Sequence, residues 1–244
     1  MKTAENHKTI TLTQAVNNFE QEYLAIRKKE NRIYTDDEVR LLPGVNAGHI
    51  HYSEWLVRKH SCEKLVHYLL RKKKALKILE VGCGNGWLSH KLSLMPGAEV
   101  TGIDLNTIEL EQAKRVFNCS NLEFIRGTIT DINEQYDIIV FAASFQYFRS
   151  AEEILNTACE LLKENGEIHI IDTKFYSLTE GIRAAERSRI YFENAGSPGM
   201  EDYYFHHALD DLADHRFKIM FDPEKFINKL FKQSPFPWIR IKKC

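Results

Sequence analysis

The sequence predicts a doubly wound α/β domain: a seven-stranded, mostly parallel sheet preceded by helices and interrupted late by a helical insert. Three observations carry that expectation. Short apolar runs alternate with helical patterns from Lys77 to Ile171, as strands joined by right-handed crossover helices do. The first of these runs ends in a cluster of glycines and is followed directly by a helix. The chain has 244 residues, 43% of them hydrophobic, enough to bury a large core without staples.

The elements follow in order. Residues 1–12 are polar. Leu12 to about Lys29 is helical, and a second helix is expected from about Ser53, its N-cap, to Lys74. The basic run Arg71 to Lys74 reads as a solvated helix end favoured by the dipole. Lys77–Val81 is the first strand and Gly86–Leu94 a helix closed by Pro96-Gly97. Glu99–Ile103 is a strand, Ile108–Phe117 a helix and Leu122–Ile125 a third strand. Tyr136–Ala142 is nearly all apolar, as a central strand covered on both faces should be. Ala151–Leu162 is a helix and Gly166–Ile171 a fifth strand.

After Asp172 the beat stops. Residues 175–215 are too long for a plain crossover and are rich in aromatic residues. They read as an inserted cap with helices at Thr179–Asn194 and near Glu201–Ala213, separated by a turn at Gly196-Ser197-Pro198-Gly199. Phe217–Phe221 is a strand. Asp222-Pro223 opens a helix to about Phe231, and Trp238–Ile241 is the last strand. The expected organisation is an N-terminal helical extension over residues 1–75 and a main domain over 76–244.

Composition removes several classes. There are 33 basic and 34 acidic residues, without the basic excess of a dedicated nucleic-acid binder. Five scattered cysteines, Cys62, Cys83, Cys119, Cys159 and Cys244, include no C-x-x-C pair. That fits reduced thiols in the cytoplasm and gives neither a disulfide framework nor a zinc site. Met1–Ile10 lacks the apolar stretch of a signal peptide, and the longest apolar run, Ile138–Ala143, is far too short to cross a bilayer.

The chemistry sits in Ile78-Leu79-Glu80-Val81-Gly82-Cys83-Gly84-Asn85-Gly86-Trp87-Leu88. Gly82 lets the chain turn sharply and Gly84 leaves room for a ligand against the backbone. Gly86 opens a helix whose free N–H groups attract negative charge. The next strand ends in Gly102-Ile103-Asp104, and an acid there, about twenty residues past the first glycine, suits two ribose hydroxyls. A helix N-cap is the plainer role for Asp104. Dinucleotide sites prefer G-x-G-x-x-G. Here the spacing is G-x-G-x-G, and Glu80 would repel a pyrophosphate, so a nucleoside bearing a cationic amine fits better than a nicotinamide cofactor.

These residues resemble the first two motifs of the class I S-adenosylmethionine-dependent methyltransferases, with a match at motif level over about residues 76–173. The resemblance implies a Rossmann-like fold and S-adenosyl-L-methionine as cofactor, with S-adenosyl-L-homocysteine as product. It implies that Gly82, Cys83, Gly84 and Gly86 wrap the methionine part and that Glu80 holds the loop or reaches the amino group. Asp104 would bind the ribose, with Leu105 packing on the adenine. The pair after the third strand, Thr128-Ile129, stands where the family often has an acid and a small apolar residue. Ile129 would then cover the ring, and Asp131 stands in for the missing acid three residues late. Ala142 and Ala143 leave room beside the transferred methyl.

Gln146 and Tyr147 are the substrate-side candidates, although Tyr147 reads equally as a core aromatic. There is no N-P-P-Y after the fourth strand, as methylases of base amines have, and no acidic double loop of the protein arginine methylases. His206 and His207 in the insert, and His49 and His51 ahead of the second helix, are the residues a general base would use. Each reads more simply as a packed or surface histidine, and no third ligand turns them into a metal site. A sulfonium is already an activated donor, so no catalytic constellation is required. The expected activity is methyl transfer to a small molecule, with the insert and N-terminal helices closing over the pocket. A nicotinamide oxidoreductase, a non-catalytic cofactor-binding protein and an RNA or protein methylase are the rivals.

Overall fold

The structure is a computed structural model that describes residues 12–226, 228 and 234–243. The main sheet has seven strands in the order β3-β2-β1-β4-β5-β7-β6. They are β1 (Leu76–Val81), β2 (Ala98–Asp104), β3 (Leu122–Arg126), β4 (Tyr136–Ala142), β5 (Leu162–Ile171), β6 (Phe217–Phe221) and β7 (Trp238–Lys242). β1 to β5 are parallel, and β7 runs antiparallel between β5 and β6. The order reverses at β1, so β1 and β4 leave a crevice at their carboxyl ends, where open α/β sheets place ligands.

Period-two alternation divides the sheet between two cores. Ile78, Val100, Ile138 and Val140 face one cluster, while Leu79, Val81, Ile139 and Phe141 face the other. Both faces are covered, which is why the parallel strands read as unbroken apolar runs. The first face is closed by α3 (Tyr52–Leu70), α4 (Trp87–Ser93) and α5 (Thr107–Val116), and the second by α6 (Ala151–Glu160). Trp55, Cys62, Leu65 and Leu69 of α3 share one core with β1, so this part of the N-terminal region packs into the same body.

Several elements differ from the sequence expectation. Helix α3 begins at Tyr52, with His51 rather than Ser53 at its N-cap, and ends at Leu70, before Lys73 turns left-handed. A short helix, α2 (Asp36–Leu41), was not foreseen; Thr35 and Glu38 close a capping box on it. Strand β5 starts four residues early, running through Asn165-Gly166, where Asn165 takes a positive φ. The turn-like dipeptide marks an irregularity inside the strand instead of its start.

In the insert, α7 (Leu178–Ala195) forms as expected, opened by a capping box at Ser177 and stopped by left-handed Gly196. The second expected insert helix does not form. Residues 198–203 and 209–212 make two short 3-10 turns. Between them Phe205 N–H donates to the Gln146 carbonyl, and Tyr176 N–H to that of His207. Backbone pairing with the body thus outcompetes the helix. The helix expected over Asp222–Phe231 lies partly outside the described residues, and residues 222–225 form a turn and bend instead of its first turn; Asp222 does accept a hydrogen bond from the Glu224 N–H at 2.9 Å. Helix α1 (Leu12–Lys29) lies against the insert, and Phe19, Tyr23 and Ile26 pack with Phe192, Met200 and Tyr147. Among the described residues no helix is long and apolar enough to cross a membrane.

Candidate functional site

The loop after β1 is shaped by its glycines. Gly82, Gly84 and Gly86 all have positive φ. A Cβ on Gly82 would stand 2.5 Å from Cβ of Ser144, and one on Gly86 2.5 Å from the Phe124 ring and 2.8 Å from Cβ of Ala113. These two are therefore demanded by packing. A Cβ on Gly84 would meet only the Glu109 carboxylate, at 3.2 Å. Gly84 is the glycine that keeps the cavity side open.

A cavity of about 270 Å3 lies under this loop at the carboxyl edge of β1, β2 and β4. Gly82, Gly84, Asp104, Leu105, Thr128 and Ile129 line it, as the sequence anticipates. Asp104 accepts from the Gly84 N–H at 2.7 Å and from the Asn106 N–H at 2.8 Å. It thereby ties the glycine loop to the tip of β2. Burial, reinforced by the Glu109 charge and opposed by these backbone bonds, lifts its carboxyl to about 6. The N-cap of α5 is Asn106, whose side chain accepts from the Glu109 N–H, so the plainer reading of Asp104 as that cap is not what forms.

Five candidates do not reach this cavity. Glu80 is 2% exposed and accepts a 2.5 Å hydrogen bond from Ser89 Oγ of α4. Desolvation raises its carboxyl to about 8, so it is protonated at neutral pH and braces the loop from beneath. Cys83 is buried, its Sγ 2.9 Å from where a Cβ of Gly102 would lie, and Gly86 is the N-cap of α4. Ala142 packs into the core as the last residue of β4, and the alternation of side chains turns the next residue to the site: Ala143, at φ 52°, lines the cavity in its place. Asp131, the stand-in for a missing acid, is occupied by the backbone N–H and hydroxyl of Thr128 at 2.7 and 2.9 Å.

A second chamber of about 580 Å3 adjoins the first. Tyr23, Ala143 and Tyr147 line both. Tyr147 and Gln146 sit on a 3-10 turn, Phe145–Tyr147, directly after β4. Tyr147 packs edge-on against Phe19, Tyr23 and Tyr204, and burial raises its phenol above the ordinary range. Gln146 is committed at both ends: its Nε2 donates to the Ala143 carbonyl at 2.7 Å and its Oε1 accepts from Thr173 Oγ1 at 3.1 Å.

The histidines stand back from both spaces. His206 shares a 2.9 Å hydrogen bond with Ser188 and packs between Tyr176 and Tyr204. His207 is 5% exposed and lies edge-on to Phe145, inside the fold. Neither lines a cavity. His51 Nε2 bonds the Glu30 carbonyl and His49 stacks beside Tyr34. No group of three metal-binding side chains occurs among the described residues.

Sequence reasoning missed the residues that α1, α3 and the end of β5 contribute. Tyr23 Oη and Arg27 both reach Glu109 of α5, at 3.3 and 3.2 Å, fastening α1 over the crevice. Arg58 and Asp172 line the chamber. Nothing local marked them; only the packing of α1 and α3 across the sheet edge brings them to the site.

The fold and the site define a doubly wound α/β domain with a ligand cavity beneath a glycine loop and a second, larger chamber against it. The family model described as a methyltransferase domain matches residues 72–194, and the chain belongs to that family. It is 36% identical over 114 residues to a malonyl-[acyl-carrier protein] O-methyltransferase of Acetivibrio thermocellus, covering 45% of this chain and 40% of that protein. To the enzyme of the same description from Priestia megaterium it is 29% identical over 179 residues, covering 67% and 65%. To a ubiquinone biosynthesis O-methyltransferase of Vibrio atlanticus it is 29% identical, covering 50% and 56%. The aligned part thus spans less than two thirds of each of these relatives. Among solved structures, the fold matches magnesium protoporphyrin IX methyltransferase from Synechocystis PCC 6803 with bound SAH at a TM-score of 0.60, with 16% identity over 96% of this chain and all of that one. It matches a plantazolicin methyltransferase, in complex with a pentazolic desmethylPZN analog and SAH, at 0.56, with 18% identity over 95% and 99%.

Proposed function

We propose that this chain transfers a methyl group from S-adenosylmethionine to a small-molecule acceptor, working in the cytoplasm. The observation that carries this reading is the pair of adjoining spaces. One lies under the glycine loop and ends on Asp104, and the other, aromatic and about twice as large, meets it at Ala143 and Tyr147. A donor and an acceptor held in such spaces meet end to end, as in-line transfer requires, and orientation supplies most of the rate gain.

The residues fit the cofactor. Gly84 leaves its backbone open for the aminoacyl tail, Asp104 has a carboxylate for ribose hydroxyls, and Leu105 and Ile129 offer apolar faces for the adenine. When bound, S-adenosylmethionine supplies an activated methyl on a sulfonium. The protein's share is to bind, align and exclude water, and the aromatic wall of α1 and the insert serves that end. The O-methyltransferase relatives and the free thiols Cys62 and Cys83 support the reaction class and the compartment respectively.

Calorimetric titration of S-adenosylhomocysteine tests the reading. Binding in the micromolar range is expected for the native chain, roughly the scale of cofactor and substrate constants, and Gly84→Arg should abolish it. A native chain that gives no heat defeats the proposal.

A further inference from the structure

Asp172, immediately after β5, is a buried charged group at the carboxyl edge of the sheet that methyl transfer so far leaves without a task. It is 6% exposed and lines the larger chamber. Its backbone is left-handed, φ 55°, a conformation that a Cβ disfavours. Ser61 Oγ of α3 donates to Oδ1 at 2.6 Å. Oδ2 has no hydrogen-bond partner among the described residues, which a buried carboxylate normally does not tolerate. The charged groups that act on it are Arg58 and Glu54 of α3, one attractive and one repulsive, and neither forms an ion pair with it.

Its position is as telling as its condition. Ala142 of β4 is in register with Ile171 of β5. Ala143 N–H donates to the Ile171 carbonyl at 3.0 Å. Asp172 therefore stands beside Ala143, the residue that lines both spaces. Two non-glycine residues in left-handed conformation, Ala143 and Asp172, immediately follow adjacent strands at this point. Backbone strain and an unpaired buried charge cluster where function requires them.

We propose, on the methyl-transfer reading above, that Asp172 takes up the hydrogen of the methyl acceptor, so that the acceptor presents a protic nucleophile, a hydroxyl or an N–H, at the Ala143 end of the chamber. The acceptor's lone pair forms the new bond to the methyl carbon. The carbon–sulfur bond breaks, its electron pair stays on sulfur, and the proton passes to Oδ2 of Asp172 and then to water. Burial, opposed first by Arg58 and then by Ser61, lifts this carboxyl to about 6. It is ionised at neutral pH yet more basic than an ordinary carboxylate, as a general base should be. A carboxylate acceptor would meet like charge there.

Phenol, anisole and benzoate share one ring and differ only in the group offered to Asp172. They are titrated by ligand-observed NMR into protein saturated with S-adenosylhomocysteine, with aniline to separate N–H from O–H donors. Phenol or aniline should bind roughly tenfold more tightly than anisole, the usual gain from a hydrogen bond to a charged group, and benzoate should bind worst. Asp172→Gly, which suits the left-handed backbone, and Asp172→Asn should both reduce the preference to within about twofold while leaving S-adenosylhomocysteine affinity unchanged. Equal binding of phenol, aniline and anisole, a preference for benzoate, no protic probe bound, or a preference that survives both substitutions overturns the assignment. Failure of S-adenosylhomocysteine to bind, read in the same sample, overturns instead the reading beneath it, and the assignment falls with it.

Discussion

The two spaces are made in different ways. The smaller one is a backbone site: two left-handed glycines of the loop, one carboxylate that bonds two N–H groups, and a few apolar side chains from consecutive strand ends. The larger one is a side-chain site, walled by α1, α3, the 3-10 turn after β4 and the insert. Backbone geometry fixes a single ligand shape, whereas a wall of side chains from distant segments can be recut for a new ligand without touching the sheet.

The comparison breaks most visibly at Gly86. Its Cβ would enter both Phe124 and Ala113 at positive φ, so Gly86→Ala should destabilise the fold by about 2–4 kcal/mol, left-handed strain plus overpacking. Gly84→Ala shares the left-handed strain but meets no such contact, so it should cost about 1–2 kcal/mol in stability while weakening S-adenosylhomocysteine binding. Thermal unfolding and calorimetry on the two variants separate a packing glycine from a ligand glycine. If Gly86→Ala melts like the native chain, the packing account of the loop is wrong.

Asp104 gives the next effect. Asp104→Ala removes the tie between the loop and β2 and should lower S-adenosylhomocysteine affinity about 10- to 100-fold, the cost of losing a charged hydrogen-bonding group. A ligand that bonds the ionised carboxylate is lost as pH falls through about 6, where the free protein's Asp104 takes up its proton. Asp104→Asn should flatten that pH dependence; an unchanged profile would show that another group governs it.

Asp172 sharpens the contrast through stability. Its folded carboxyl is raised from 3.8 to about 6. Between those values the folded state holds the extra proton, so stability falls as pH rises from about 4 to about 6, and the penalty stays above that. The difference in unfolding free energy between Asp172→Asn and the native chain should therefore grow in the variant's favour by about 1–3 kcal/mol from pH 4 to pH 7. A constant difference across that range would mean that the buried carboxylate carries no penalty.

The smallest effect belongs to the histidines. With neither ring on a cavity wall, His206→Asn and His207→Asn should each leave methyl transfer within about tenfold, short of the hundredfold or more that loss of a general base brings. A larger loss of turnover in either variant would return the insert histidines to the site.

The backbone site was legible in the sequence because its parts are contiguous. Strand, glycines and helix follow one another within residues 76–93, and Asp104 stands at the end of the next strand. Even there, side-chain direction was not readable: Glu80 and Cys83 turn beneath the loop, and Ala143 rather than Ala142 faces the cavity. The chamber was half legible. The aromatic density of the insert announced a cap, and the substrate-side candidates Gln146 and Tyr147 are among the residues that line it. Its second helix was misread, because Phe205 and the His207 carbonyl pair with Gln146 and Tyr176 across the chain, and local propensity carries no trace of a distant backbone partner. Arg58 and Asp172 were not singled out for the same reason. Residues 114 positions apart in sequence meet only once α3 has docked.

A crystal structure of the protein with S-adenosylhomocysteine tests the central claim most directly. The account predicts the ribose hydroxyls on the Asp104 carboxylate, the aminoacyl tail against Gly84, and the sulfur directed past Ala143 toward Asp172. A ligand seated in the larger chamber, or a glycine-loop cavity left empty at saturating ligand, would contradict it.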